Sequence, residues 1–393
     1  MRSKLALPLL LGWLALGCGE NRVMVEIRGG DGNPIRLDAQ QLQHRFSHLV
    51  AAGTHAFPPP DSKLEVKEGS YPVSVVAGRY LQTRVVEVES PPLSGIREYR
   101  VTFDIPAGSN AGMSREGTIV YASTPVGVRN WDLFAIRADG SGLRRLTETR
   151  EFEQHPAWSP DGRRIAYTSG DVMTNIDIYV MNEDGTGATR LTDHPERDQR
   201  PAWSPDGRQI AFESQRDGDV AIWVMEADGS GVRKLVQGRE PSWSPDGRTV
   251  VFTSSQFDGN DEIYTIRVDG SQRQRLTVNH DKFDWFAQWS PSGDRIAFDS
   301  ERYGGQELML MLADGSGQAR ITIAETTYEQ EPVWSPDGRG LAYAGKMNES
   351  DYDIYLIHTT GLDLDNGSPP AGLPLNLTAN DDRDDMSPSW RRH

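Results

Sequence analysis

The stretch PAWSPDGRRIAY, residues 156–167, recurs as PAWSPDGRQIAF at 201–212, PSWSPDGRTVVF at 241–252 and PVWSPDGRGLAY at 332–343. A weaker copy, AQWSPSGDRIAF, begins at Ala287, and a cut-short PSW ends at Trp390. The six tryptophans concerned, Trp158, Trp203, Trp243, Trp289, Trp334 and Trp390, stand 40 to 56 residues apart. A phrase repeated at such a period marks an array of one supersecondary unit.

Working outward from the phrase, each unit carries four short strand signals. The Trp phrase is the first, and an alternating run such as RIAY at 164–167 is the second. The third is DIYVM at 177–181 or EIYTI at 262–266, and the fourth is TRLT at 189–192 or RQRLT at 273–277. Period-two runs rich in β-branched and aromatic residues, broken by turn chemistry, read as antiparallel strands. In Ser159-Pro160-Asp161-Gly162 proline presets φ, aspartate bonds its own backbone and glycine accepts positive φ. A second turn, Asp-Gly, recurs at Asp139, Asp184, Asp228, Asp269 and Asp314, with Thr360-Gly361 as the sixth, and is a strong hairpin signal.

The registers are offset at the two ends. The first unit, 117–147, has no Trp phrase before it, while Trp390 has no unit after it. A linear array would leave open sheet edges at both ends. A ring in which the strand around Trp390 becomes the innermost strand of the first unit closes both. The expectation is an all-β fold: a six-bladed β-propeller over 116–393.

The combination PxWSPDGxxIAF, DIYxM, DGSG and RLT resembles the β-propeller repeats (PD40, WD40-like) of TolB-type proteins, periplasmic components of the Tol–Pal envelope system. The resemblance covers roughly residues 117–393 and implies periplasmic exposure and protein–protein interaction. Before the propeller, residues 19–105 carry strand-like runs at 23–27, 63–66, 71–75, 84–88 and 99–103. The phrase EGSYPVSVVAGRYLQTRVVEVE, 68–89, resembles a carboxypeptidase-regulatory-like or transthyretin-like β-sandwich. TolB itself carries a mixed α/β domain at this place. Residues 106–115 read as a linker.

Residues 1–18 read as a leader: Arg2 and Lys4, then an apolar run from Leu5 to Leu16 that is too short to span a bilayer as a helix. The only cysteine, Cys18, sits in LALGC, which resembles a lipobox with Ala15 where leucine is usual. This makes Cys18 the lipidation site, and Gly19 behind it favours the outer membrane over inner-membrane retention. The expectation is an outer-membrane lipoprotein on the periplasmic side, touching the membrane only through its anchor. The chain carries a net charge of −16, and cleavage would leave −18. Such a surface repels nucleic acid. Stability must come from packing, since no disulfide can form within the mature chain.

Candidate function lies just before each phrase. Five residues ahead of the Trp stands an acid in five of six units, Glu153, Asp198, Asp284, Glu329 and Asp385, with Gly238 breaking the series. In a propeller these residues enter the innermost strand and ring the channel mouth. They can bond their own loop backbone, meet a basic partner, or hold a hard cation. Phe152, Phe283, Trp285, Phe286 and Tyr328 sit beside them, and aromatic residues are enriched at interface cores. The partner site assigned from the sequence is therefore Glu153, Asp198, Asp284, Glu329, Asp385, Phe152, Trp285 and Tyr328.

Enzymatic readings find less support. No Gly-x-Ser-x-Gly elbow is present for the hydrolase chemistry that accompanies related propellers in prolyl-oligopeptidase-like peptidases. Of His155, His194 and His280, only His155 is close to a Trp phrase, unlike the clustered His and Gln of polysaccharide lyases on this scaffold. His44, His48 and His55 read as a polar surface segment. The reading is a non-enzymatic, monomeric envelope protein without cofactor or metal that binds a protein partner. A glycan-binding or metal-dependent polysaccharide-active propeller is the alternative.

Overall fold

The computed structural model describes residues 117–391 apart from 126–127, 129, 257–258, 280, 323–327, 347–350, 360–373 and 379–382. Before these it describes strand backbone at 11–16, 19–28, 69–77, 80–88 and 97–104. The chain divides into two compact units, one over residues 1–113 with 371–375, the other over the remainder.

In the first unit Gly19–Arg28 pairs with Leu11–Leu16 on one side and, in parallel, with Arg97–Asp104 on the other. Gly69–Ala77 and Tyr80–Val88 form a hairpin with Ala77 opposite Tyr80. The run at 63–66, the linker at 106–115 and Cys18 lie outside the described residues, as do His44, His48 and His55. No helix long and apolar enough to cross a membrane occurs among the described residues.

The second unit contains six four-stranded antiparallel sheets. We number these blades 1 to 6 by the chain order of their second strands. The innermost strands are Phe152–Trp158 in blade 2, Asp198–Trp203 in blade 3, Arg239–Trp243 in blade 4, Asp284–Trp289 in blade 5 and Tyr328–Trp334 in blade 6. Blade 1 takes its innermost strand from the C-terminal end of the chain. Arg383–Arg391 pairs with Thr118–Pro125, Trp390 opposite Ile119. The six inner strands contact one another in sequence around a closed ring. Arg391 stitches the closure further, its guanidinium 4.2 Å over the Trp158 ring and 2.6 Å from Glu183 in blade 2.

The core lies between blades. Trp243, Val250, Phe252 and Tyr264 of blade 4 pack with Ala211, Ile222 and Val224 of blade 3, and comparable clusters recur at four other junctions. The tryptophan is the bolt of each joint. Trp203, Trp243 and Trp334 each donate Nε1–H to a carbonyl of the preceding inner strand, at Ala157, Ala202 and Gln288, over 3.0–3.2 Å. Burying so large a ring at each joint explains why the same residue serves in every blade, and in these three the one donor is satisfied as well.

The other repeated letters are also construction. In SPDG the serine hydroxyl donates to the aspartate two residues on at 2.6 Å in four blades. It also accepts a backbone N–H across the turn. In RLT the threonine Oγ1 accepts the N–H of the third strand at Leu133, Ile178, Ile263 and Leu308, over 2.8–3.0 Å. Its arginine reaches an acid at or near the start of that strand, as Arg190 does Asp177 and Arg275 does Glu262. SPDG and Asp-Gly turns occupy one face of the ring. The loops between second and third strands, and those entering each inner strand, occupy the opposite face, called here the loop face.

Candidate functional site

The loop face and the channel behind it hold the residues singled out by position. The five acids are under the surface, not on it. Glu153, Asp198, Asp284, Glu329 and Asp385 are 0–1% exposed. Glu153 accepts from Thr147 at 3.1 Å and from Thr149, both in the loop leading to it. Asp284 accepts from Asn279 at 2.6 Å and from Arg302 at 2.5 Å, and Asp198 from Arg216 at 2.7 Å. These acids tie the incoming loop, or the neighbouring loop of the same blade, to the start of the inner strand. Burial raises the carboxyls of Glu153 and Glu329 to about 7 despite their threonine donors.

The break at Gly238 fits that role. Five junctions have six to eight residues between the last strand of one blade and the inner strand of the next: 146–151, 191–197, 276–283, 321–327 and 377–382. Between Arg233–Gln237 of blade 3 and Arg239–Trp243 of blade 4 stands Gly238 alone. Where there is no loop to fasten, the acid is missing. A Cβ at Gly238 would lie 2.6 Å from Phe252 Cδ2 and 2.7 Å from the Thr253 carbonyl oxygen, so the backbone itself fills the position.

A second ring, which the sequence reading overlooked, lines the channel. Three residues before each tryptophan stand His155, Arg200, Glu240, Phe286, Glu331 and Ser387. All six adopt φ of 51–58°, the left-handed region that non-glycine residues rarely enter. Each sits at a register shift in the inner strand, a bulge that turns its side chain toward the channel. In four blades the backbone N–H freed by the bulge is taken up by a side chain of the preceding blade. Arg200 donates to Thr168 Oγ1 at 3.1 Å and Glu240 to Glu213 at 2.7 Å. Phe286 donates to Glu240 at 2.9 Å, and Ser387 to Glu331 at 2.8 Å.

Arg200 bridges the channel. From blade 3 it reaches Glu331 of blade 6, directly opposite, at 3.2 Å, and lies 4.7 Å over the Phe286 ring of blade 5. Glu213 is 3.6 Å away. Burial, partly offset by Arg200, raises Glu240 to about 7. Burial and the charge of Glu240 push Asp299, which accepts from Gln306 at 2.7 Å, well above the usual carboxylate range. Burial and Arg200 hold His155 well below its usual value, so it is neutral. Arg200 thus spans the channel, paired with Glu331 and Glu213. His194 sits apart in a loop, where it accepts the N–H of Glu196, and His280 lies outside the described residues. Among the described residues no three His, Cys, Asp or Glu side chains are grouped to hold a metal ion.

The aromatic residues do reach the surface. Tyr328 is 55% exposed and Phe283 36%. Phe283 stacks on Trp285 with ring centres 5.3 Å apart. Phe152 and Trp285 are half-buried, and Phe286 faces the channel beneath Arg200. Position alone also missed Tyr303, 52% exposed in blade 5 beside Arg320, which lies 5.0 Å from its ring centre.

These features define a six-bladed β-propeller with a plugged channel and an aromatic loop face. Residues 171–240 and 236–366 match the TolB β-propeller domain (PD40), so the propeller is of the TolB type. A TolB homologue of Chlorobium luteolum is 30% identical over 193 residues, 49% of this chain and 34% of that protein. Dipeptidyl-peptidase 5 of Porphyromonas gingivalis is 38% identical over 68 residues, 16% of this chain and 10% of the peptidase. The chain therefore spans about a third or less of the curated relatives it matches. The crystal structure of TolB from Acinetobacter baumannii superimposes with a TM-score of 0.62 at 22% identity, covering 72% of this chain and 69% of that one, a likeness of fold.

Proposed function

We propose that the protein is a non-catalytic interaction module of the bacterial cell envelope whose loop face binds a protein partner. The carrying observation is the distribution of exposed large hydrophobic residues. Among the described residues, Val128, Met173, Val278, Phe283, Tyr303 and Tyr328 belong to loop-face segments, against Leu143 alone in a turn of the opposite face. Apolar surface gathered on one face, with aromatic anchors at its densest part in blades 5 and 6, is what an interface core needs. Tyr328 and Tyr303 belong together there, because Gln306, three residues beyond Tyr303, bridges to Tyr328 through the backbone. In this reading the buried acids shape the loops, and Phe152, Trp285 and Tyr328 with Tyr303 make the contact. The leader and Cys18 support a lipid-anchored protein at the outer membrane, facing the periplasm, and we read it as a monomer. The resemblance to TolB-type proteins supports both the compartment and the interaction role.

The test is capture of partners from envelope extracts by the full-length protein. A Tyr303→Ser/Tyr328→Ser variant loses a partner that the parent retains; retention of every partner by that variant overturns the site. Metabolic labelling with a radioactive fatty acid marks the parent and not Cys18→Ala. Equal labelling of the two removes the anchor assignment.

A further inference from the structure

The missing loop between blades 3 and 4 leaves the loop face open at one junction out of six. What lies under that opening is a continuous strip of hydrogen-bonding groups on either side of Gly238. On one side Gln237 donates its amide to Asp219 at 2.8 Å and accepts from the Gln256 amide at 2.5 Å. On the other, Arg239 lies 3.6 Å from Asp261, whose same oxygen accepts Nε1–H of Trp285 at 2.9 Å. Trp285 carries the strip up to its stack with Phe283. The opening thus has a floor of side-chain amides, carboxylates and one guanidinium, and a wall made of two parallel rings.

We propose that this opening is a binding groove for a neutral oligosaccharide. Sugar hydroxyls donate and accept at once, and the floor offers both functions side by side. Each glutamine amide spends one N–H within the strip and, among the described residues, keeps the other. Gln256 and Asp219 are exposed. A flat aromatic pair suits the C–H face of a pyranose, which is apolar while its rim is polar. The floor holds two carboxylates, Asp219 and Asp261, against the one guanidinium of Arg239, which disfavours an anionic ligand. An added peptide strand finds no free edge at the turn, because Gly238 N–H is already bonded to the Val220 carbonyl at 3.2 Å. The groove shares Phe283 and Trp285 with the proposed partner face, but its floor residues are distinct from Tyr303 and Tyr328, so Gln237→Ala and Tyr328→Ser separate the two readings.

Titration calorimetry of the intact protein with cellohexaose, maltohexaose and chitohexaose tests the assignment. At least one binds with Kd below about 1 mM, and Gln237→Ala and Phe283→Ala each weaken it by about tenfold or more. Both variants keep the parent melting temperature, and Tyr328→Ser keeps the parent affinity. Absence of binding by all three sugars overturns the proposal, as does binding that survives Gln237→Ala and Phe283→Ala together.

Discussion

Glu240 shows how much a single channel residue is asked to do. Its carboxylate accepts the freed N–H of Phe286 and the Thr253 hydroxyl, while its own N–H is held by Glu213. Burial raises it to about 7 from an ordinary 4.5, as it does Glu153 and Glu329. Between those two pH values the folded state holds protons that the unfolded chain has released, so stability falls as pH rises through the window. For Glu240 the effect is on the order of 3 kcal/mol at most. The turn aspartates, such as Asp161 and Asp206, are lowered from 3.8 by serine and backbone donors and act in the opposite sense, only in stronger acid. Thermal melting should therefore peak near pH 5 (about the ordinary glutamate value) and decline toward pH 8. Glu240→Gln should flatten part of that decline. A melting temperature that climbs from pH 5 to pH 8 contradicts the burial of these groups. The channel ring itself was hidden from the sequence because its six members share no chemistry. Its signal was the neighbour: proline follows the ring residue in five of six blades, and proline inside a strand belongs at an edge or a bulge.

Among elements, the junction of blades 3 and 4 is the informative one. Five loops lead into a buried acid, which at Glu153, Asp284 and Glu329 accepts from a residue of that loop, and the sixth has been reduced to one glycine with no room for a side chain. Gly238→Ala should destabilise the propeller by at least ~1 kcal/mol, since the new methyl meets Phe252 and a backbone carbonyl. Chemical denaturation measures this, and an unchanged midpoint would show that the turn can move. The strands, the turns and their grouping into blades were legible because each rests on local chemistry: alternation, Pro-Asp-Gly geometry, a serine or threonine within reach of an aspartate. The depth of the acids was not legible. A carboxylate at a loop-to-strand boundary looks the same in sequence whether it faces solvent or bonds inward. What separated the cases was the partner in three dimensions, Arg216 for Asp198 or Arg302 for Asp284, each eighteen residues further along the chain.

At the scale of the whole molecule, the offset between the first unit and Trp390 foretold the closure, and the structure pairs Arg383–Arg391 with Thr118–Pro125 accordingly. Removing residues 386–393 deletes Trp390 and most of that strand, and exposes the edge of blade 1. The melting temperature should fall by roughly 10 °C or more, and a truncated protein that melts like the parent would refute the closed ring. The ring is also what gives the molecule two unlike faces, one of uniform turns and one of variable loops. Binding at the loop face is the central claim. The direct measurement places a photo-crosslinking residue at Tyr328 in one protein and at Leu143, on the turn face, in another, each expressed in its own cells. The account predicts a discrete cross-linked protein adduct from position 328 and none from 143. Adducts from 143 alone, or from neither position, would contradict it.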